Sequence, residues 1–428
     1  MKNENARKIR PLILVIAIQL TLYLLLRTKS LLAADQYIVV MAGIVVFETV
    51  LAFWIAKQKG NTNMLYVAAM IFAIGAAVQC LLRQVFPNIK IEMYGLATCI
   101  IGVGACYMFQ KMFPKGKAPK WLPIPLAIAN IVIYGLLFTV GTDMNNTGTT
   151  AWISIGGATF QLTEFIKIIA CLFYAVIFAD HSLTEKKKMA LSTGFVIGNL
   201  LGCLAIRELG NMLVLLFLHI LAYWVFMKPS KAKAAYMTIC LALIASGICL
   251  LVFHPMLKEM RFDFPGSSHI YNYIDKIYTR YQMAYDLDSL DLNNEGYQMD
   301  HARQALILGG LLGTRLPISI PVADSDMVFT YVILNFGALT GFSLLVLYVL
   351  LGVNGYAATV EQNGFRQVFM FCATTLITLQ ALLNIAMSTG LFPLAGICLP
   401  FVSVGGTYEL VCMILIIAMC AMPEGRKR

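Results

Sequence analysis

Residues 297–335 read YQMDHARQALILGGLLGTRLPISIPVADSDMVFTYVILN. The segment opens as a polar loop, is broken by glycines at 309, 310 and 313, and turns into an uncharged apolar run after Met327. Asp324 and Asp326 stand where the character changes. An apolar run that starts directly behind two carboxylates reads as a chain passing from water into a bilayer. The rest of the sequence takes its meaning from that junction.

Working outward, apolar runs recur along the whole chain. A span of a bilayer core needs about 17–25 such residues in a helix. Twelve runs of 15–24 residues come close to or within that length: 11–32, 37–56, 64–82, 92–109, 122–140, 164–178, 191–206, 211–226, 237–253, 327–350, 369–388 and 408–422. They are continuous rather than alternating, which argues for helices and against a membrane barrel. The composition agrees, with 59% hydrophobic and only 13% charged residues among 428. The fold class expected is an all-α polytopic membrane protein of about twelve helices with one long extracellular loop. Two parts are expected: N-terminal membrane helices over 1–120, and a membrane core over 121–428 that includes the loop 254–326. The basic start followed by an apolar run mimics a secretory signal, but the many later runs make it an uncleaved first helix.

The formal charge of +10 does not point to nucleic acid. With the N-terminus inside, the loops at 57–60, 110–120, 181–188 and 228–233, the loop with Arg366 and the tail after 423 all fall on one side. All carry Lys or Arg, as the positive-inside rule expects of cytoplasmic loops. Both termini are then cytoplasmic. The 11 cysteines show no CxxC pair and lie almost entirely within apolar runs, so they read as small buried hydrophobes and not as a disulfide or zinc framework.

This topology sends four features to the outer face: the loop 141–161, the turn Arg207-Glu208-Leu209-Gly210-Asn211, the long loop 252–326, and the Gly/Pro-rich stretch 389–407. The last is apolar but carries Pro393, Pro400, Gly405 and Gly406, which suits a re-entrant segment supported by protein. The long loop interleaves tyrosines with charges and is expected to lie along the interface in short amphipathic helices. No internal repeat of the inverted-transporter kind is visible.

Several groups can carry chemistry. Glu164 and Lys167 are three residues apart on one helix face, a spacing that permits pairing. Arg207 offers a planar donor fork for phosphate, or equally a headgroup contact. Asp326, with Asp324, fits two roles: a helix cap, or a general base taking a proton from a substrate hydroxyl. The five histidines form no ligand-spaced cluster, and no P-loop, HExxH or serine elbow occurs. Gln380 and Asn384, one turn apart, are expected to bond between helices.

The motifs taken together resemble the SEDS family (shape, elongation, division and sporulation), the FtsW/RodA/SpoVE group. Trp152-Ile153 with Gln161 to Lys167 resembles RWI…QPSEFxK, and Glu208-Leu209-Gly210 resembles a DLG turn. Gly296-Tyr297-Gln298, Gln304-Ala305-Leu306 and the glycines at 309–313 resemble GYQ…QSL…GGxxG. The stretch PVADSDMVF (321–329) resembles LPEAHTDFIF, and NIAMSTGLFPLAGICLPFVSVGG (384–406) resembles NxGMxxGLLPVTGxPLPFxSYGG.

The resemblance implies a ten-helix core, here with two extra N-terminal helices, and a peptidoglycan glycosyltransferase. Such an enzyme polymerises lipid II into glycan strands at the outer face of the bacterial cytoplasmic membrane, in division, elongation or sporulation. The partner implied is a class B penicillin-binding protein, beside membrane lipids, with no nucleic acid. Asp326 matches the family's catalytic aspartate, and substrate binding falls to Trp152, Glu164, Lys167, Arg207, Glu208, Gln298, Gln304 and Ser403. Loss of a pyrophosphate calls for positive charge, which Arg207, Lys167 or a divalent cation (Mg2+ or Mn2+) can supply. The chain departs from the pattern at Ala151, Leu162, Val322 and Asp324, where the family has Arg, Pro, Glu and His. A second reading therefore stands beside the enzyme: a non-catalytic membrane scaffold that binds lipid II or recruits a penicillin-binding protein.

Overall fold

The structure, a computed structural model, describes residues 2–57, 60–86, 100–105, 107–108, 111, 119–143, 148–156, 158–259, 267–314, 316 and 318–422. Most of the fourth expected span and of the loop after it lie outside these residues, as does the tail. The chain is built of helices: α1 (Lys2–Lys29), α2 (Leu31–Lys57), α3 (Thr62–Leu82), α4 (Pro123–Val140), α5 (Thr163–Ala179), α6 (Glu185–Ala205), α7 (Leu209–Phe226) and α8 (Lys231–Val252). The long loop follows as α9 (His254–Glu259), α10 (Ser267–Tyr285) and α11 (Tyr297–Leu308). The chain then returns through α12 (Val328–Phe336), α13 (Ala338–Glu361), α14 (Gly364–Ser388) and α15 (Gly406–Cys420). Among the described residues, nine helices are long and apolar enough to cross a membrane.

The core is carried by α3, α5, α14 and α15. Helix α3 is buried along nearly its whole length, from Met64 to Leu82. Helices α4 and α8 are buried over only 11% of their apolar windows and present their side chains outward. A helix apolar on all sides is stable in that position because lipid is as apolar as leucine.

The two ends of the bundle are chemically different. At one end Asn61 N donates to Cys420 O, Lys188 Nζ to Phe178 O and Lys228 N to Glu185. These join segments expected in the cytoplasm. At the other end Thr149 bonds Arg207 O, Gln161 bonds Glu208, Arg280 bonds Leu394 O, and Val404 N bonds Asp324 O. These join segments expected outside.

Three local features differ from expectation. The span over 327–350 is not one helix: α12 ends at Phe336, and α13 begins at Ala338 and runs on to Glu361. Gly337 between them has φ +87°, and a Cβ there would lie 2.1 Å from Leu311 O. The glycine-rich turn after α11 packs into this break, with Ala338 N donating to Gly310 O at 2.8 Å. A side chain at 337 would close the gap that the turn fills, so the glycines at 309–313 serve packing. The second difference is in the outer loop 141–161, which forms an antiparallel hairpin. Strands β1 (Trp152–Ile155) and β2 (Ala158–Gln161) pair Trp152 with Gln161. In the long loop, α10 is also longer than expected, at 19 residues.

Candidate functional site

Asp326 lies two residues before α12, and the helix has no side-chain cap. The capping role open on sequence grounds is therefore not the one its carboxylate plays. What the loop fixes is its backbone. Val404 N donates to Asp324 O at 2.7 Å. Ser403 Oγ donates to Ser325 O at 2.7 Å and accepts from Leu399 N at 2.8 Å. Asn384 Nδ2 and Ser388 Oγ donate to Asp326 O at 2.9 and 3.2 Å. Three consecutive carbonyls are thus held, two by the segment between α14 and α15 and the third by the end of α14, and among the described residues no hydrogen bond is made by the Asp326 side chain. Its Oδ2 lies 3.6 Å from where a Cβ of Gly396 would sit, so a glycine keeps this face open.

The electrostatics of the half-buried Asp326 follow from its neighbours. Burial pushes its carboxyl up to about 6, Asp324 adds to the rise, and Arg280 opposes it. Arg280 itself is held by Leu394 O at 3.1 Å. Burial pulls its guanidinium below the usual range, while Asp326 and Tyr273 act the other way.

Helix α10 brings further groups. Tyr273, Lys276 and Arg280 recur at spacings of three and four and so share one face. Lys276 feels Arg280 and Arg207 as like charges and Asp143 as an opposite one, and burial depresses its ammonium. Tyr273 lies among the same arginines, and its buried hydroxyl has no hydrogen-bond partner. Arg207 reaches this place from a left-handed backbone turn, φ +60°, fixed by Thr149 Oγ1 on its carbonyl at 3.2 Å. Arg207, Lys276, Arg280 and Tyr273 form a donor-rich cluster that reaches Asp326 through Arg280. Of these, sequence reasoning named only Arg207 as a substrate-binding candidate. The spacing of 273, 276 and 280 was the available signal.

A second charged group lies behind the acid. Lys167 Nζ bonds both Glu164 oxygens at 2.8 Å, and both side chains are nearly inaccessible. Lys167 also lies 5.2 Å from the Tyr408 ring centre. Glu208 Oε1 accepts from Gln161 (2.9 Å), Thr163 (3.0 Å) and Asn211 (2.8 Å), whereas Oε2 is buried without a partner. Burial and then Glu164 push Glu208 up to about 7, with Lys167, Thr163 and Gln161 opposing. Gly210 allows this turn to approach the 395–396 backbone, since a Cβ there would meet Ala395 O at 2.6 Å. Cys398 lies within electrostatic reach of Asp326, Asp324, Glu164 and Lys167, which places the two groups around one segment.

The remaining expected residues are placed differently. Trp152 packs beside Leu137, Ala151 and Ile206, and its carbonyl accepts from Thr142 N. Gln304 is exposed and bonds Asp300 on its own helix. Gln298 is half-buried on α11. Among the described residues no hydrogen bond ties either glutamine to Asp326. Ser403 is 1% exposed and acts on the loop backbone. Ala151, where the family pattern has Arg, is buried.

The fold and site define a polytopic membrane protein with an acid beside a cation cluster, set at one end of the helix bundle. The family model described as "Cell cycle protein" (FtsW/RodA/SpoVE) matches residues 61–424, and the chain belongs to this family. Two helices, α1 and α2, precede the matched region. The chain is 26% identical over 301 residues to the probable peptidoglycan glycosyltransferase FtsW of Enterococcus hirae, covering 66% of this chain and 71% of that protein. It is 24% identical over 331 residues to the probable peptidoglycan glycosyltransferase FtsW of Bacillus subtilis (strain 168), covering 72% and 75%. A solved structure reported as "Structural coordination of polymerization and crosslinking by a peptidoglycan synthase complex" contains a chain of like fold. The TM-score is 0.65 at 18% identity, with 85% of this chain and 97% of that one covered. The protein is a multi-pass protein of the cytoplasmic membrane.

Proposed function

We propose that the protein is a peptidoglycan glycosyltransferase that polymerises lipid II at the outer face of the membrane, with Asp326 as general base. The observation that carries this reading is the uncapped Asp326 carboxylate, fixed through its backbone and facing Arg280. Asp326 takes the proton of the acceptor sugar hydroxyl. That oxygen attacks the anomeric carbon of the donor, and the bond to the polyprenyl pyrophosphate breaks. The polyprenyl pyrophosphate leaves with the bonding electron pair and so gains one negative charge, and Arg280, Arg207 and Lys276 with the Tyr273 hydroxyl are the donors for it. Glu164 and Lys167 neutralise each other and support the segment that holds Asp326.

A divalent cation, Mg2+ or Mn2+, fits the donor set through the Asp324 carboxylate, because such ions bind one or two carboxylates together with substrate phosphates. It would supply charge to the pyrophosphate. Chelation with EDTA followed by Mg2+ or Mn2+ rescue reads this requirement directly.

The placement of the Lys- and Arg-bearing described segments 181–188 and 228–233 at the end opposite Asp326 supports cytoplasmic termini. A class B penicillin-binding protein is the proposed partner, and the outward-facing helices α4 and α8 contact membrane lipid. The scaffold reading draws its support from Ala151, buried where a phosphate-binding arginine is expected. Incubating the purified protein with lipid II, alone and with candidate penicillin-binding proteins, separates the two. Glycan polymer under any pairing supports the enzyme. Lipid II binding without polymer under every pairing supports the scaffold.

A further inference from the structure

Away from Asp326, a cavity of about 240 Å³ lies between α2, α3 and α15, in the membrane-spanning part of the chain. Its walls are apolar, formed by residues such as Phe47, Leu65, Phe72 and Met413. On the α2 side Val39 is 66% exposed and Gly43 is also exposed, so among the described residues the cavity opens sideways, in the plane of the membrane. Close-packed interiors seldom leave such a space.

Three polar side chains line it: Glu48, Gln79 and Glu409. Glu48 is 5% exposed, and neither of its carboxylate oxygens has a hydrogen-bond partner. The neighbouring donors are engaged or turned away. Gln79 Nε2 is directed at the Val402 and Ser403 carbonyls, at 3.4 and 3.5 Å. Tyr37 donates to Ala73 O at 3.2 Å. Tyr37 and Tyr66 lie within electrostatic reach of Glu48, but neither hydroxyl bonds it. No Lys, Arg or His lines the cavity among the described residues. An ionised carboxylate needs donors, and a neutral one still leaves a carbonyl acceptor and an O–H unmatched. Either form in an apolar place is costly unless a partner arrives.

We propose that this cavity binds a lipid-soluble amphiphile whose hydroxyl or amine head donates to Glu48 and whose apolar body fills the space between α2, α3 and α15. The site is built partly from α2, which precedes the region shared with the family. It uses none of the residues assigned to polymerisation, so the two readings stand or fall separately.

The test uses the full chain in lipid nanodiscs and three photoreactive probes on one alkyl chain: a fatty alcohol, a fatty amine and the methyl ether of the alcohol. Labelled peptides are mapped by mass spectrometry. A single hydrogen bond to a buried acceptor corresponds to about a fivefold or larger preference. The expected result is that the alcohol, the amine or both label the 39–51 and 409–417 segments at least about fivefold more than the ether. Whichever probe does so names the head group. Glu48→Leu is expected to reduce that labelling to the ether's level. Gly43→Leu provides an independent plug, because a Cβ there meets nothing within 4 Å and the added side chain enters open space. It too is expected to abolish labelling, in protein whose thermal unfolding is unchanged. Equal labelling by all three probes, or labelling indifferent to both substitutions, overturns the proposal.

Discussion

Arg280→Gln removes a positive charge beside Asp326 while keeping a side-chain donor for Leu394 O. Burial and Asp324 hold the Asp326 carboxyl up at about 6, and among the described residues Arg280 is the group that pulls it down. An opposite charge of this kind is worth about one pKa unit or more, or about 1.4 kcal/mol. A general base works only when ionised, so the acid limb of the rate–pH profile is expected near 6 in the wild type and near about 7 in the variant. At pH 6 the ionised fraction then falls from about a half to about a tenth, a roughly fivefold slower rate. At pH 8 both forms are almost fully ionised, and any loss that remains there reports weaker pyrophosphate binding. The assay is initial-rate polymerisation of lipid II between pH 5 and 9. Asp324→Asn removes a like charge and is expected to move the limb the opposite way. A limb that stays near 6 in Arg280→Gln, or moves up in Asp324→Asn, refutes the electrostatic account.

Three further outcomes follow from the same contacts. The folded-state carboxyl of Asp326 is raised above its ordinary 3.8 to about 6, so its favourable contribution is complete below about 3.8 and is lost as pH rises through 6. Asp326→Asn is therefore expected to stabilise the protein at pH 8 by about 1–3 kcal/mol, and hardly at all at pH 4, in thermal unfolding. Glu164→Gln leaves Lys167 buried without its counter-charge and is expected to cost about 3–5 kcal/mol, seen as lost folded yield, with much of the yield restored in Glu164→Leu/Lys167→Met. Ser403→Ala removes the hydroxyl between Leu399 N and Ser325 O, which is expected to cost about 1–3 kcal/mol and to lower kcat more than it raises KM.

The helical membrane fold was legible because a bilayer demands continuous apolar runs of fixed length, and the runs at 37–56, 64–82 and 211–226 reappear as α2, α3 and α7 with modest changes at the ends. The break at Gly337 was not legible, since it depends on a turn more than 20 residues earlier filling the gap. The hairpin over 152–161 was equally hidden: its strands are four residues each and depend on Thr142 and Thr407 for support. Asp326 announced itself by standing at a polar–apolar junction, and the family resemblance then favoured a base over a cap. Lys276 escaped notice because a lysine on a loop helix reads as a solvated charge until the fold turns that face inward. Ser403 was read as a substrate contact, and the structure puts its hydroxyl on the backbone that carries the acid. Glu48 and Glu409 were hidden inside apolar runs, where only three-dimensional packing reveals that a carboxylate lines a cavity.

The central claim rests on Asp326 as the base for glycan polymerisation. The most direct test compares wild type and Asp326→Asn in lipid II polymerisation, with lipid II binding and thermal unfolding measured on the same preparations. The account predicts polymer from the wild type and none from the variant, with binding retained and stability equal or higher. Polymer from Asp326→Asn at a rate near the wild type's would contradict it.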